Sequence, residues 1–105
     1  MRFYPLEKLI NLQDGYVQAF RIDAYHLLLV QRGEERHLIE ANCPHRENPL
    51  DTATIDADSI TCPLHGYRFR LEDGSLIQST EEPCRGLRVF DLVYEGNEVG
   101  VMLDG

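Results

Sequence analysis

Basic residues are scarce in this chain. Ten lysines and arginines stand against 18 aspartates and glutamates, a formal net charge of −8 over 105 residues. A surface of that sign is repelled by phosphate backbones, which argues against nucleic acid as a partner. It either favours association with positively charged protein surfaces or merely keeps a small protein soluble. A long hydrophobic run is also missing: no 18-residue apolar stretch occurs, so no membrane span is predicted. The first ten residues, MRFYPLEKLI, put a proline and a glutamate where a secretory leader needs an apolar core. A cytoplasmic location is therefore expected. Sustained helical periodicity is absent, as are internal repeats, low-complexity segments and linkers. Cysteine is limited to Cys43, Cys62 and Cys84. Disulfides are rare in the cytoplasm, so three thiols there suggest metal or redox use, or simple packing.

What is present reads as all-β. The apolar fraction is 43%, and the length suits a single domain, residues 1–105, able to bury about two-thirds of its unfolded surface. YVQAFRI and YHLLLVQ are short runs rich in β-branched and aromatic residues, separated by Asp23-Ala24. RHLIEA follows a turn at Gly33. YRFRL alternates, with Tyr67, Phe69 and Leu71 facing one way and Arg68 and Arg70 the other. Asp73-Gly74 is a hairpin signal leading into SLIQ. LRVFDLVY and VGVML are expected to pair across Glu95-Gly96-Asn97, and PLEKLINL is read as one helical turn at most. Several runs are apolar on both faces, which suits an antiparallel sandwich or small barrel.

The loops carry the chemistry. Residues 42–54 and 62–66 are punctuated by Pro44, Pro49, Pro63 and Gly66, and each holds one cysteine and one histidine. The first pair is Cys43-x-His45 and the second Cys62-x-x-His65, with sixteen residues between His45 and Cys62. A lone cysteine or histidine is usually packing or a solvated group. Two mixed pairs on proline-bearing turns point to a metal site, since thiolate and imidazole suit borderline and soft metals. Two sulfurs and two nitrogens fit tetrahedral zinc or a [2Fe–2S] cluster. Zinc sites usually pair like with like, Cys-x2-4-Cys and His-x3-5-His, whereas both pairs here are mixed.

CPHRENPL and CPLHGYRF resemble the two ligand motifs of Rieske [2Fe–2S] proteins. EEPCRGL resembles the family's third, proline-containing loop, and the strand-rich flanks are similar to its all-β fold. The resemblance implies a cluster-binding part over about residues 42–69 and a covering loop over about 80–86. It implies that Cys43 and Cys62 bind one iron and His45 and His65 the other. Two neutral imidazoles in place of two thiolates leave the oxidised centre near zero charge, which raises its reduction potential. The outer imidazole edges would give His45 and His65 the role of electron exit.

High-potential members of the family add a disulfide whose cysteines would fall at Asn48 and Leu64, and carry a Ser and a Tyr where Tyr67 and Phe69 stand here. Without these, the chain more closely resembles the soluble Rieske ferredoxins of bacterial ring-hydroxylating oxygenases. It departs from them at Glu47 and Asn48, which replace Gly-Ala, and at Ala53, which replaces a later Gly. The implied function is electron carriage, not catalysis. A flavin-containing NAD(P)H reductase would be the donor, a terminal oxygenase the acceptor, and the carrier a monomer with a potential near the low end of the Rieske range. Only His26 and His37 remain for a mononuclear iron, too few for an oxygenase site of its own. A small Rieske-fold subunit of a nitrite-reductase-like complex and a zinc-stabilised interaction module are the alternatives. Cys84 is read as a small buried hydrophobe. Arg46 and Arg85 either flank the docking face or are solvated, and Glu47, Glu81 and Glu82 are candidates for steering a partner.

Overall fold

A computed structural model of the chain describes residues 2–44, 48–56, 58–63, 66–78 and 85–104. The expected hairpin forms from β2 (Val17–Ile22) and β3 (Tyr25–Arg32). Its turn is enabled by Asp23, which takes a left-handed φ of 52° that a short polar side chain tolerates. After the Gly33 turn, β3 pairs on its other edge with β4 (Glu35–Glu40), and β11 (Val89–Phe90) closes a sheet of order β11-β4-β3-β2.

The run Leu27-Leu28-Leu29-Val30 on β3 is fully buried on both faces, and this places β3 between two cores. Leu27 and Leu29 join Leu38, Val99, Val101 and Leu103. That core is roofed by a second sheet of order β1-β13-β12, from β1 (Arg2–Lys8), β12 (Val93–Glu95) and β13 (Glu98–Leu103). Leu28 and Val30 face the other way, into a core shared with Ile39, Ile60, Tyr67, Phe69 and Leu71. A fully buried side chain of this size contributes about 1.5–3 kcal/mol, so β3 is the thermodynamic centre of the fold. Gln31 ends the run, buried but satisfied: its amide donates to the Gly33 carbonyl at 2.8 Å and its oxygen accepts from Arg36 Nε at 3.0 Å.

The second core is capped by a four-stranded sheet, β10-β9-β8-β7, from β7 (Thr54–Ile55), β8 (Ser59–Thr61), β9 (Arg68–Arg70) and β10 (Leu76–Gln78). A small hairpin of β5 (Asn42–Cys43) and β6 (Asn48–Pro49) stands beside it. Every strand pair is antiparallel. Tyr67, Phe69 and Leu71 are all fully buried and Arg70 is exposed, as their alternation predicts.

PLEKLINL holds one short turn, as expected: its first half continues β1 to Lys8, and Leu9–Asn11 form a 3-10 turn. Pro5 is tolerated because β1 is an edge strand and the register shifts between Pro5 and Glu7. LRVFDLVY is not one strand. Val89–Phe90 pairs with β4, and Val93–Glu95 pairs with β13, so the chain changes sheets at Asp91-Leu92.

Candidate metal centre

The two cysteine loops share one local design. In the first, β5 and β6 pair Asn42 with Pro49 and Cys43 with Asn48, so Cys43 is the last paired residue before the connection 44–47. The Leu50 N–H donates to the Ala41 carbonyl at 2.8 Å and extends this closure below the hairpin. In the second, β8 and β9 pair Thr61 with Arg68. The Cys62 N–H then donates to the Tyr67 carbonyl at 2.7 Å, and the Gly66 N–H donates to the Cys62 carbonyl at 3.0 Å. Gly66 has a φ of 72°, a left-handed conformation glycine adopts without strain. Each cysteine therefore sits at the base of a hairpin connection, on backbone fixed by hydrogen bonds. Below the second loop, Arg68 Nε donates to the Ser59 hydroxyl at 3.0 Å, and the Arg68 guanidinium lies 3.8 Å from the Asp56 carboxylate.

Cys43 and Cys62 are both buried in the same apolar cluster, with Leu50, Tyr67, Phe69 and Leu87. Two buried thiols in one cluster are a soft donor set, and they fit the sulfur half of a [2Fe–2S] ligand set. His45 and His65 lie outside the described residues, as do Arg46, Glu47, Leu64, Glu81, Glu82 and Cys84. Among the described residues no group of three or more His, Cys, Asp and Glu gathers as a metal site. His26 is exposed on β3, and His37 on β4 has its Nε2 3.7 Å from the Glu35 carboxylate. No described helix is long and apolar enough to cross a membrane.

Arg85 is not simply solvated. Its guanidinium forks onto the Glu40 carboxylate, Nη1 to Oε1 at 2.6 Å and Nη2 to Oε2 at 2.8 Å. The Arg88 N–H adds a third hydrogen bond to Oε1 at 2.9 Å. Burial works to raise the Glu40 pKa, but these hydrogen bonds and the two arginine charges outweigh it and hold the carboxyl below its ordinary value. Glu40 carries no mark in the sequence beyond a charge at the end of RHLIEA; only the fold brings it to Arg85, 45 residues away.

The Rieske [2Fe–2S] domain family matches the chain over residues 2–91. The ferredoxin CarAc of Metapseudomonas resinovorans is 31% identical over 93 residues, covering 87% of this chain and 84% of the relative. The ferredoxin of carbazole 1,9a-dioxygenase from Nocardioides aromaticivorans IC177 superposes with a TM-score of 0.81 at 28% identity, covering 96% of this chain and 97% of that one. A solved complex of reduced oxygenase and oxidized ferredoxin in carbazole 1,9a-dioxygenase contains a chain with a TM-score of 0.80 at 28% identity, covering 94% of this chain and 100% of that one. With its two hairpin-based cysteines, its all-β fold and this match over most of its length, the chain belongs to the Rieske [2Fe–2S] family, whose cofactor is a Rieske-type cluster.

Proposed function

We propose that this protein carries single electrons from a flavin-containing NAD(P)H reductase to a terminal oxygenase in the cytoplasm, as a monomer, on a cluster held by Cys43, His45, Cys62 and His65. The observation that carries the reading is the matched pair of thiols buried in one cluster. Each stands at the base of a hairpin, and each is followed two or three residues later by a histidine. Bound there, a [2Fe–2S] cluster takes up and returns one electron. The protein's part is to supply two thiolates from inside the core, to supply two imidazoles from the same connections, and to keep bulk water off the sulfur side with Leu50, Tyr67, Phe69 and Leu87. The solved ferredoxins of carbazole 1,9a-dioxygenase that this chain resembles, one of them in complex with oxygenase, support an oxygenase as acceptor.

Anaerobically purified protein is expected to be red-brown and to hold about two iron and two acid-labile sulfides per chain, with the low average g-value of a His-ligated reduced centre. Stoichiometric zinc without iron would overturn the reading. The direction of electron flow is tested by stopped-flow reduction with an NADH-fed flavin reductase, followed by mixing with oxidised terminal oxygenase. A carrier that accepts electrons but never passes them on would not be serving an oxygenase.

A further inference from the structure

The segment Arg85 to Arg88 touches the supports of both cysteine hairpins at once. On one side it lies along the end of β4. Besides the Arg85 fork and the Arg88 N–H on the Glu40 carboxylate, the Glu40 N–H donates to the Arg88 carbonyl at 2.9 Å. Glu40 is three residues before Cys43. On the other side the Leu87 N–H donates to the Gly74 carbonyl at 2.7 Å, in the turn that joins β9 to β10. β9 begins immediately after the second loop. The crossing is too close for side chains: a Cβ on Gly74 would lie 2.0 Å from the Leu87 carbonyl oxygen, and one on Gly86 would lie 2.5 Å from the Gly74 oxygen. Between the two contacts Leu87 is buried in the cluster that holds Cys43 and Cys62.

We propose that the Arg85–Glu40 ion pair and the Gly74–Gly86 crossing form a clasp that fixes the two cysteine hairpins relative to each other, making Arg85 and Glu40 positioning residues of the redox centre. This rests on the ligand reading above. Neither hairpin contacts the other through strand pairing, since β5-β6 and β7 to β10 belong to separate sheets. Besides packing in the shared cluster, the link between them is residues 85–88, which hydrogen-bond to both sides. Glu40 is well placed for this because its side chain is only 18% exposed, whereas that of Arg85 is 54% exposed. A half-shielded, bidentate pair with a backbone donor added is stronger than an open surface pair.

The test uses the holoprotein as wild type, Glu40→Gln, Arg85→Lys, and the charge swap Glu40→Arg with Arg85→Glu. Three readouts are compared: iron release to a chelator, the midpoint potential with its EPR g-values, and hydrogen exchange of peptides spanning 85–90. Glu40→Gln is expected to release iron roughly tenfold faster, the order of effect of losing one charge-assisted hydrogen bond, with faster exchange at Leu87 and Arg88. Its potential and g-values should shift. Arg85→Lys keeps the charge but loses the fork, so it should fall between Glu40→Gln and wild type. If Glu40→Gln fails to load a cluster, recovery of loading in the charge swap supports the clasp, and failure of both Arg85→Lys and the swap to differ from Glu40→Gln overturns it. A lowered melting temperature with unchanged potential, g-values and iron release would make the pair merely structural and overturn the proposal. A wild type that holds no iron would overturn the ligand reading and the clasp with it.

Discussion

A buried thiol is ordinarily a small hydrophobe, and either Cys43 or Cys62 alone would carry no functional weight. What distinguishes them is that both enter one apolar cluster from hairpin bases of the same design, each with a histidine in the connection it opens. Replacing Cys62 by Ser exchanges a soft donor for a hard one at a fixed position, so most iron and most visible absorption should be lost. His65→Ala should do the same if, as proposed, it is the second ligand of that loop. Cys84→Ser should leave the visible spectrum nearly unchanged; iron loss in that variant would show that the third cysteine had been misjudged. Glu40 makes a residue-scale prediction about pH. Its folded pKa is depressed, so the stability it supplies is fully present above the ordinary carboxylate range and is lost as pH falls through the folded value. Denaturation midpoints of wild type and Glu40→Gln should therefore differ at neutral pH and converge on acidification. A gap that stayed constant down to the acid limit would mean the carboxylate's charge contributes nothing.

At the scale of elements, β3 divides its labour by parity. Leu28 faces the core that contains Cys43 and Cys62, while Leu29 faces the core under β13. Leu28→Ala and Leu29→Ala should each cost about 2–5 kcal/mol in chemical denaturation. Only Leu28→Ala should also perturb the visible spectrum of the folded protein, and equal spectral changes in both would mean the two cores are not independent. The same parity explains what was legible in the sequence. YHLLLVQ announced a strand buried on both faces, and YRFRL announced one buried on one face, because each pattern is a local record of its surroundings. The two cysteine-bearing loops were legible because the spacing of their motifs is also local. The rest was not local. LRVFDLVY keeps its apolar character across Asp91-Leu92 while its two ends pair with different sheets. Sheet membership is decided by distant partners, and nothing within the run records it. The two-residue strands β5, β6 and β7 are held by loop geometry, too short for any periodicity. Glu40 and Arg85 are 45 residues apart, and their pairing exists only once β11 has laid its leading segment along β4.

On the scale of the whole molecule the net charge of −8 acts in two ways. It steers association with a basic partner surface, so electron-transfer rates with such a partner should fall as ionic strength rises. It also opposes the addition of an electron, although salt screens most of that field. Closer to the thiols most of the described side chains are apolar, with Tyr67 adding a hydroxyl. Phe69 is fully buried in the cluster with Cys43 and Cys62, and its ring can offer no hydrogen bond. Hydrogen bonds to sulfur stabilise the more negative, reduced state, and family members with a hydroxyl-bearing residue at that position gain from it. Rieske centres span about −150 to +300 mV, and both the missing donor and the acidic surface push this one toward the low end. A low potential suits a carrier filled by a nicotinamide-dependent reductase, because a carrier far above it would accept the electron and then hold it. A spectroscopic redox titration at neutral pH should therefore give a midpoint in the lower part of the range, and Phe69→Tyr should raise it by adding a donor inside the cluster. A wild-type midpoint above roughly +150 mV, in the upper part of that range, would exclude the ferredoxin role even with the cluster confirmed.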